Sequence, residues 1–359
     1  MKILIICPYP INTAPSQRFK YEQYINYLKK KGYQINVSSF FSNSTYFILQ
    51  KKGFYLIKIF SIIFGYFKRT LELFTLKQYN GVYIHLSVVP FTNVVFEKLF
   101  IKFSNKIIYD IDDLVFLLKT SQVNWIASYL KSSEKFFFLM KKANYVVTCT
   151  PHLHEIAKKH NSKTIDISST INTEQYFIKN FNINKKIIIG WSGSFSTGPY
   201  LKLIENALKK VLSKNNAKLL VIGAKEKYIK DLDYELLPWT PDNEVKDLQK
   251  IDIGLYPLPN EEWVYGKSGL KALQFMALGI PVVASAIGTN FRVVDHEING
   301  YLAKDENDWI NYIEILCKNH EKRKEMGILA REKVVKEFSV NANKEKYLKV
   351  FDQTFKNIG

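Results

Sequence analysis

The chain has 359 residues, 47% of them hydrophobic and 23% charged. This profile excludes a disordered chain, a collagen-like chain and a small disulfide scaffold, and the length predicts two domains of roughly 150 residues each. Lysine and arginine number 51 against 33 aspartates and glutamates. The resulting net charge of +18 favours an anionic partner, whether nucleic acid, anionic lipid or a phosphorylated small molecule.

The positive charge is concentrated near the N-terminus. Residues 1–109 contain 15 basic and 3 acidic side chains, or +12, whereas residues 110–359 contain 36 and 30, or +6. We therefore expect the N-terminal part to meet the anionic surface. The alternative is a lysine-rich composition bias on a solvated surface.

The N-terminus and the cysteines fit a cytoplasmic protein. The first apolar run ends at Pro8 and is shorter than the hydrophobic region of a signal peptide. Cys7, Cys149 and Cys317 are too few and too widely spaced for a disulfide framework or a zinc site. A reducing, cytosolic compartment is the one that fits them.

Short β-branched runs in the first half are typical of strands buried on both faces, and they lie at residues 2–7, 33–38, 82–86, 106–110 and 145–149. An apolar stretch at residues 54–67 is shorter than the ~20 residues that a membrane span needs and is interrupted by Lys58. It predicts either an amphipathic helix on a membrane surface or a helix of the N-terminal core.

Runs of the same kind in the second half lie at residues 185–190, 218–222, 251–256 and 281–285. Their alternation with helical patterns indicates βαβ units and an open parallel sheet in each half. We therefore expect an α/β fold of two Rossmann-like domains that face each other across a cleft. The predicted domains are 1–178 and 179–338, with a C-terminal helix at 339–359 that packs back toward the first domain.

A small-residue loop at residues 190–199 joins a predicted strand to a predicted helix, which begins at Pro199. Free N–H groups at such a turn and the positive end of the helix dipole suit a diphosphate, and Ser192 and Ser194 add hydroxyl donors. The loop matches neither the dinucleotide-binding glycine pattern nor the P-loop lysine pattern. An ordinary strand-to-helix turn is the alternative.

A second motif spans residues 266–285, with Ser268 as the expected N-cap and Gly279 and Pro281 as the helix stop. On a helix, Lys267, Lys271 and Gln274 would share one stripe. Two cations near a helix start are unfavourable without an anion. The pattern therefore predicts a docked phosphate, with two solvated lysines as the alternative.

The run "GLKALQFMALGIPVVASAIGTNFRVVDHEINGYLA" from Gly269 to Ala303 resembles the donor-site signature of family-4 (group 1) glycosyltransferases of the GT-B fold. Residues 107–116, 189–201 and 251–258 match further parts of that family in order, so the resemblance covers most of the chain. It implies retaining transfer of a sugar from a nucleoside diphosphate sugar, without a metal or other cofactor. The first domain would bind the acceptor and the second the nucleotide sugar.

The resemblance has two departures. Family members usually carry two glutamates eight residues apart, and the matching positions here are Gly266 and Gln274. Gln274 can still hydrogen-bond a ribose hydroxyl, and Glu261 or Glu262 would have to replace the first carboxylate. The family's diphosphate-binding Arg and Lys are absent from the loop after Ser192, which leaves Lys267 and Lys271 as substitutes.

The resemblance implies a set of donor-binding residues: Ser192, Gly193, Ser194, Trp239, Lys267, Ser268, Gly269, Leu270, Lys271 and Gln274. Lys267 would also be catalytic, because a cation stabilises the charge that develops on the leaving diphosphate. A charge-assisted contact is worth roughly 1.5–3 kcal/mol, so loss of Lys267 is expected to cost at least about tenfold in rate.

Three residues of the first half join the expected site. Asp110 and Asp112, in the motif Asp-Ile-Asp-Asp, are interpreted as hydrogen-bonding to the donor sugar or the acceptor, with metal binding or a capped turn as alternatives. His85 is a candidate sugar contact, and with Asp110 it completes the catalytic set. Arg18 is expected to bind a phosphate on the acceptor, with a surface arginine as the alternative.

We therefore expect a bacterial hexosyltransferase at the cytoplasmic face of the inner membrane, held there by its basic N-terminal domain. Its acceptor would be a saccharide, lipid-linked in the assembly of lipopolysaccharide or capsule. A catalytically inactive nucleotide-sugar-binding protein is the first alternative, and a sugar-nucleotide epimerase or phosphorylase is another. A nucleic-acid-binding protein, suggested by the charge of +18, is the least favoured alternative, and no nucleic acid is expected as a partner because no recognition motif accompanies the charge.

Overall fold

The structure is a computed structural model that describes residues 1–49, 51, 53–91, 93–117, 132–179, 186–194, 196–224 and 226–356. The chain divides into two compact units. The first unit comprises Met1–Ser169 and Asn343–Gly359, and the second comprises Thr170–Ala342. The sequence pattern puts these boundaries at 178 and 338.

The described part of the first unit is built on a six-stranded parallel sheet with strand order β2-β1-β3-β4-β5-β6. The strands are β1 Lys2–Cys7, β2 Gln34–Ser39, β3 Gly81–His85, β4 Ile107–Asp110, β5 Tyr145–Thr148 and β6 Thr164–Asp166. Every residue of β3 and β4 is buried, as expected of central strands in a sheet covered on both faces.

The α-helices of the first unit connect these strands and close the chain. They are α1 Pro15–Arg18, α2 Ile25–Lys30, α3 Asn43–Leu49, α4 Tyr55–Thr75, α5 Val95–Phe103, α6 Glu134–Lys142, α7 Pro151–Lys158 and, from the C-terminal segment, α14 Val340–Phe355. None of the helices in the described residues is long and apolar enough to cross a membrane.

The second unit, in its described residues, contains another six-stranded parallel sheet, with strand order β12-β11-β10-β7-β8-β9. The strands are β7 Ile187–Ser192, β8 Ala217–Ile222, β9 Glu235–Leu237, β10 Ile253–Tyr256, β11 Val282–Ser285 and β12 Gly300–Ala303. The helices are α8 Glu205–Lys214, α9 Glu244–Leu248, α10 Leu270–Ala277, α11 Asn290–Val293, α12 Glu306–Lys318 and α13 His320–Lys333.

The two sheets confirm the predicted α/β class and its two Rossmann-like domains. In each sheet the first strand lies in the interior, and the chain adds strands on one side of it and then on the other. The strand order therefore reverses between β1 and β3 in the first sheet and between β7 and β10 in the second. Ligands of open α/β sheets bind outside the carboxyl ends of the strands at such a reversal. The loops after β1, β3 and β7 are therefore the places to look for a site.

Strands β6, β9 and β12 were not predicted. Each is an edge strand of its sheet, and β6 and β9 have only three residues, none of them buried. Such segments lack the continuous apolar run that identifies a central parallel strand.

Candidate functional site

Four backbone N–H groups in the described part of the loop after β7 are engaged within the protein. The backbone N–H of Gly193 donates to the Ile222 carbonyl oxygen at 2.9 Å, and that of Ser194 donates to Thr197 Oγ1 at 3.1 Å. The N–H groups of Thr197 and Gly198 both donate to the Ser194 carbonyl oxygen. The expectation of free N–H groups at these positions was therefore wrong.

Glycine is required in this loop because the loops after β7 and β8 touch. A Cβ atom on Gly193 would lie 2.1 Å from a ring carbon of Trp191. A Cβ on Gly223, whose φ is +85°, would lie 2.2 Å from the Gly193 carbonyl oxygen. The contact fixes Ser192, the last and buried residue of β7, at the carboxyl end of the sheet.

Helix α10 begins one residue later than the sequence pattern predicts. Its N-cap is Gly269, in the left-handed conformation with a φ of 75° and no side-chain cap, so the expected N-cap role of Ser268 was wrong. Lys267 lies before the helix, in extended backbone. The predicted stripe of Lys267, Lys271 and Gln274 on one helix face therefore does not form, and the Lys267 Nζ stands 5.3 Å from the Trp263 ring centre.

Lys271 lies in the first turn of α10 and is half-buried. Burial lowers the pKa of its ammonium group to about 8, against the opposing effect of the Glu244 carboxylate. The ammonium also faces the Trp191 ring at 5.8 Å. A poorly solvated cation at the positive end of a helix dipole is an anion-binding arrangement.

Gln274 is buried one helical turn further along α10 and belongs to a polar network. Its Nε2 donates to the Tyr176 hydroxyl at 2.8 Å and to Glu244 Oε1 at 3.2 Å. The same Glu244 oxygen accepts a hydrogen bond from Trp239 Nε1 at 3.0 Å. Trp239 is half-buried, at the surface of the unit and outside its core.

Glu244 is the functional candidate that the sequence pattern did not reveal. It is the first residue of α9 and only 8% exposed. An acid at a helix start is ordinarily explained by the dipole alone, which hid its position beside Gln274. Glu261 and Glu262 are both exposed, and Glu261 Oε2 accepts from Trp263 Nε1 at 2.6 Å.

In the first unit, Asp110 is the centre of a buried cluster at the carboxyl ends of β3 and β4. Its Oδ1 accepts from Lys20 Nζ at 2.5 Å, and its Oδ2 contacts the Tyr83 hydroxyl at 2.7 Å and His85 Nδ1 at 3.0 Å. Burial alone would raise the pKa of Asp110, but Lys20 and His85 outweigh it and hold the pKa at about 2. Both carboxylate oxygens of Asp110 are thus already engaged within the protein.

His85 ends β3 and is completely buried, and its Nε2 has no hydrogen-bond partner in the part of the chain that the structure describes. The next residue, Leu86, has a φ of 64°, a strained conformation for a bulky side chain. Its N–H donates to the Asp110 carbonyl oxygen, and its carbonyl oxygen accepts from the Tyr109 hydroxyl at 2.9 Å. Strain held in place beside an unpartnered polar atom is typical of a functional site.

The remaining two predicted residues flank this cluster. Asp112 is half-buried, and burial raises its pKa against the opposing charges of His85 and Lys20. Arg18 ends α1, is half-buried and lies over the Phe19 ring at 5.0 Å. Among the described residues, no three His, Cys, Asp or Glu side chains are grouped as a metal site.

Comparisons with known proteins show what the chain is similar to. The family model described as Glycosyl transferases group 1 matches residues 172–333, all within the second unit. An uncharacterized glycosyltransferase of Methanocaldococcus jannaschii is 35% identical over 115 residues, which are 28% of this chain and 28% of that one. The match thus spans less than a third of the relative's length.

Two solved structures are similar over nearly the whole chain. A glycosyltransferase from Rickettsia africae has a TM-score of 0.70 and 17% identity and covers 99% of both chains. Anabaena Alr3699/HepE in complex with UDP and glucose has a TM-score of 0.68 and 14% identity, with 98% of this chain and 100% of that one covered. Residues 172–333 of the second unit thus resemble the glycosyl transferases group 1 family, and the chain has the GT-B fold.

Proposed function

We propose that the protein is a retaining, family-4 glycosyltransferase that moves a hexose from a nucleoside diphosphate sugar to a saccharide acceptor. One observation carries the proposal. Lys271, a poorly solvated ammonium, stands at the N-terminus of α10 within the sequence matched by the glycosyltransferase family. A diphosphate would supply the negative charge that neutralises this ammonium.

The donor would be held by the second unit. Lys271, with Lys267 just before the helix, neutralises the diphosphate. Glu244 and Gln274, whose side chains touch at 3.2 Å, would accept hydrogen bonds from the ribose hydroxyls through their carboxylate and amide oxygens, so that Glu244 supplies the carboxylate absent from position 274. Trp239, hydrogen-bonded to the same Glu244 oxygen, would stack on the base.

The chemistry requires little beyond these groups. The bond between the anomeric carbon and the diphosphate oxygen breaks, and negative charge grows on the leaving diphosphate. The acceptor hydroxyl oxygen bonds to the anomeric carbon, and its proton passes to the departing diphosphate oxygen. In this proposal the two lysines stabilise that charge, so no metal ion and no dedicated protein base are needed. In the first unit, Asp110 holds the His85 ring by its Nδ1 and so acts as a positioning residue for His85, whose buried Nε2 would reach a sugar hydroxyl only once it is uncovered.

The acceptor would be met by the first unit, with Arg18 binding an acceptor phosphate and Asp112 a hydroxyl group. The surplus of +12 in residues 1–109 supports a lipid-linked acceptor at the anionic, cytoplasmic face of the inner membrane, where each cation adds about 1 kcal/mol. The proposed pathway is bacterial surface-polysaccharide assembly, lipopolysaccharide or capsule.

The proposal is tested by nucleotide binding. UDP, GDP, ADP, dTDP and CMP are compared by thermal shift and titration calorimetry against the wild type, Lys267→Ala and Lys271→Ala. One diphosphate should stabilise the wild type, and each substitution should weaken its binding at least about tenfold, the worth of a charge-assisted contact. Lys304→Ala, at an exposed position after β12, is the control and should bind as the wild type does. No response to any nucleotide would contradict the proposal.

A second candidate function is a binding protein without transferase activity. It is favoured by Gly266, which offers no side chain where the resemblance expects a carboxylate, and by the exposure of Glu261 and Glu262. The transferase and the binding protein can be distinguished by experiment once the nucleotide that binds is known. The enzyme releases that diphosphate from its sugar nucleotide, and NMR of the product's anomeric proton reports retention or inversion, whereas the binding protein leaves the sugar nucleotide intact.

A further inference from the structure

Helix α4 is packed with its polar side toward the protein. Arg69 is completely buried, and its guanidinium donates to the carbonyl oxygens of Val88, Cys7 and Ser38 at 2.9–3.1 Å. Lys68 Nζ donates to the Ser39 carbonyl oxygen at 2.8 Å. These bonds fix the rotation of the helix about its own axis.

The same side of α4 also packs closely against the first unit. Gly65 is buried, and a Cβ atom there would lie 2.5 Å from the Phe40 ring. The Tyr66 hydroxyl donates to the Phe91 carbonyl oxygen at 2.9 Å. The helix cannot turn its outer face inward without breaking these contacts and those of Arg69.

The outer face of α4 is consequently a large apolar surface. Leu56, Phe64 and Phe74 are 72%, 65% and 81% exposed. The further exposed apolar residues on and beside the helix are Phe54, Tyr55, Ile57, Ile59, Phe60, Ile63, Phe67, Leu71 and, on α3, Phe47. An apolar surface of this extent marks an interaction site.

The charges around this surface are positive. Between Lys51 and Lys77 the sequence has a single acid, Glu72. That carboxylate is already paired with Arg69 at 2.7 Å and bonded to Ser38. Lys51 and Lys77 are exposed near the two ends of α4, and Lys98 and Lys102 are exposed on the neighbouring α5.

We propose that the outer face of α4 inserts into the interfacial layer of an anionic bilayer, with the helix axis parallel to the membrane. Its 21 residues, at ~1.5 Å per residue, make a rod of roughly 32 Å that is too polar on one side to span. Lipid phosphates complement the surrounding lysines. Dimerisation through this face would bring the lysines around it close to those of a second copy, and repulsion between like charges opposes that contact.

This inference names the membrane-contacting surface of the transferase proposed above. The two can fail separately, because the helix belongs to the first unit whereas the proposed donor residues belong to the second.

The test is flotation of the purified protein with vesicles of phosphatidylglycerol and phosphatidylcholine, and with vesicles of phosphatidylcholine alone. The wild type should bind the anionic vesicles. Phe64→Asp should weaken that binding at least about tenfold, since it removes an exposed aromatic side chain that would insert into the bilayer and places a carboxylate against lipid phosphates. Phe64→Leu should bind within a few-fold of the wild type. Ile315→Asp, at an exposed apolar position of α12, is the matched control and should bind unchanged.

Two outcomes would overturn the inference. The first is equal vesicle binding by the wild type and Phe64→Asp. The second is a wild type that does not bind vesicles but sediments as a dimer, with Phe64→Asp monomeric, which would make the face an interface between copies. Nucleotide titration of each variant shows whether the donor site is intact, so a loss of vesicle binding alone leaves the proposed transferase standing.

Discussion

Two lysines show how the surroundings of one residue type decide its role. Lys20 is completely buried, and burial would lower the pKa of its ammonium, but the Asp110 carboxylate at 2.5 Å raises it. At Lys271 burial also lowers the pKa, and Glu244 only partly opposes it, so the pKa falls to about 8. The charge of Lys20 is balanced inside the protein, whereas that of Lys271 is the one an external anion would stabilise.

The lowered pKa of Lys271 makes a pH-dependent prediction. Below about pH 8 the free protein carries the ammonium, so nucleoside diphosphate affinity should be constant. Above it, binding requires uptake of a proton, and the affinity should fall by up to about tenfold for each further pH unit. Titration calorimetry from about pH 7 to about pH 10, in buffers of different ionisation enthalpy, measures both the affinity and the proton uptake.

Lys271→Arg is the control for this titration, because a guanidinium stays charged throughout the range. Its affinity should be independent of pH where that of the wild type declines. A wild-type affinity that is equally flat would show that Lys271 does not meet the diphosphate.

Among the elements, the central strands were predictable because their signal is local. The runs that became β1, β4 and β10 lie within a few residues of their predicted bounds, since strands buried on both faces are apolar at every position. The start of α10 was not predictable in the same way. Ser268 is a good N-cap by residue type, but the backbone at Gly269 is left-handed and packed against Val293, 2.9 Å from where a Cβ would lie.

The candidate site was predictable only in part, because its contacts join distant positions. The signature identified Lys271 and Gln274 from their neighbours in sequence. The partners of Gln274, however, are Tyr176 and Glu244, which lie 98 and 30 residues away. Nothing in a local pattern marks such residues, and the orientation of α4 likewise depends on Arg69, whose partners come from other elements.

The packing of α4 against Phe40 is tested by Gly65→Ala. Alanine should favour a helix by about 1 kcal/mol, but its Cβ would lie 2.5 Å from the Phe40 ring, and overpacking of that kind costs about 1–3 kcal/mol. We expect a net loss in the free energy of unfolding, measured by urea denaturation. In the background Phe40→Leu, which vacates part of the ring's space, the same change should cost less. An equal cost in both backgrounds would show that Gly65 does not pack against Phe40.

Across the whole molecule, the end of the chain completes the unit in which the chain begins. Helix α14 contributes Tyr347 and Phe351, both buried, to the first unit. The Tyr347 ring stacks on Tyr24 at 4.1 Å, and Phe351 lies 5.3 Å from the Tyr33 ring. Folding of the first unit therefore depends on the last segment of the chain, whereas the proposed donor residues all lie in Thr170–Ala342.

The division of the chain into two units predicts that a substitution in the first unit changes its stability without changing the binding of the donor by the second unit. Phe351→Ala should destabilise the first unit by about 3–5 kcal/mol, the usual cost of deleting a buried phenylalanine ring. The affinity for the nucleoside diphosphate should stay within about twofold, because Phe351 belongs to the first unit and the proposed donor residues belong to the second. Phe275→Ala, which empties an equally buried position in α10, is the reciprocal variant and should weaken nucleotide binding. Calorimetric unfolding with and without the nucleotide distinguishes the two. A nucleotide affinity that falls with Phe351→Ala as far as with Phe275→Ala would show that the units do not behave independently.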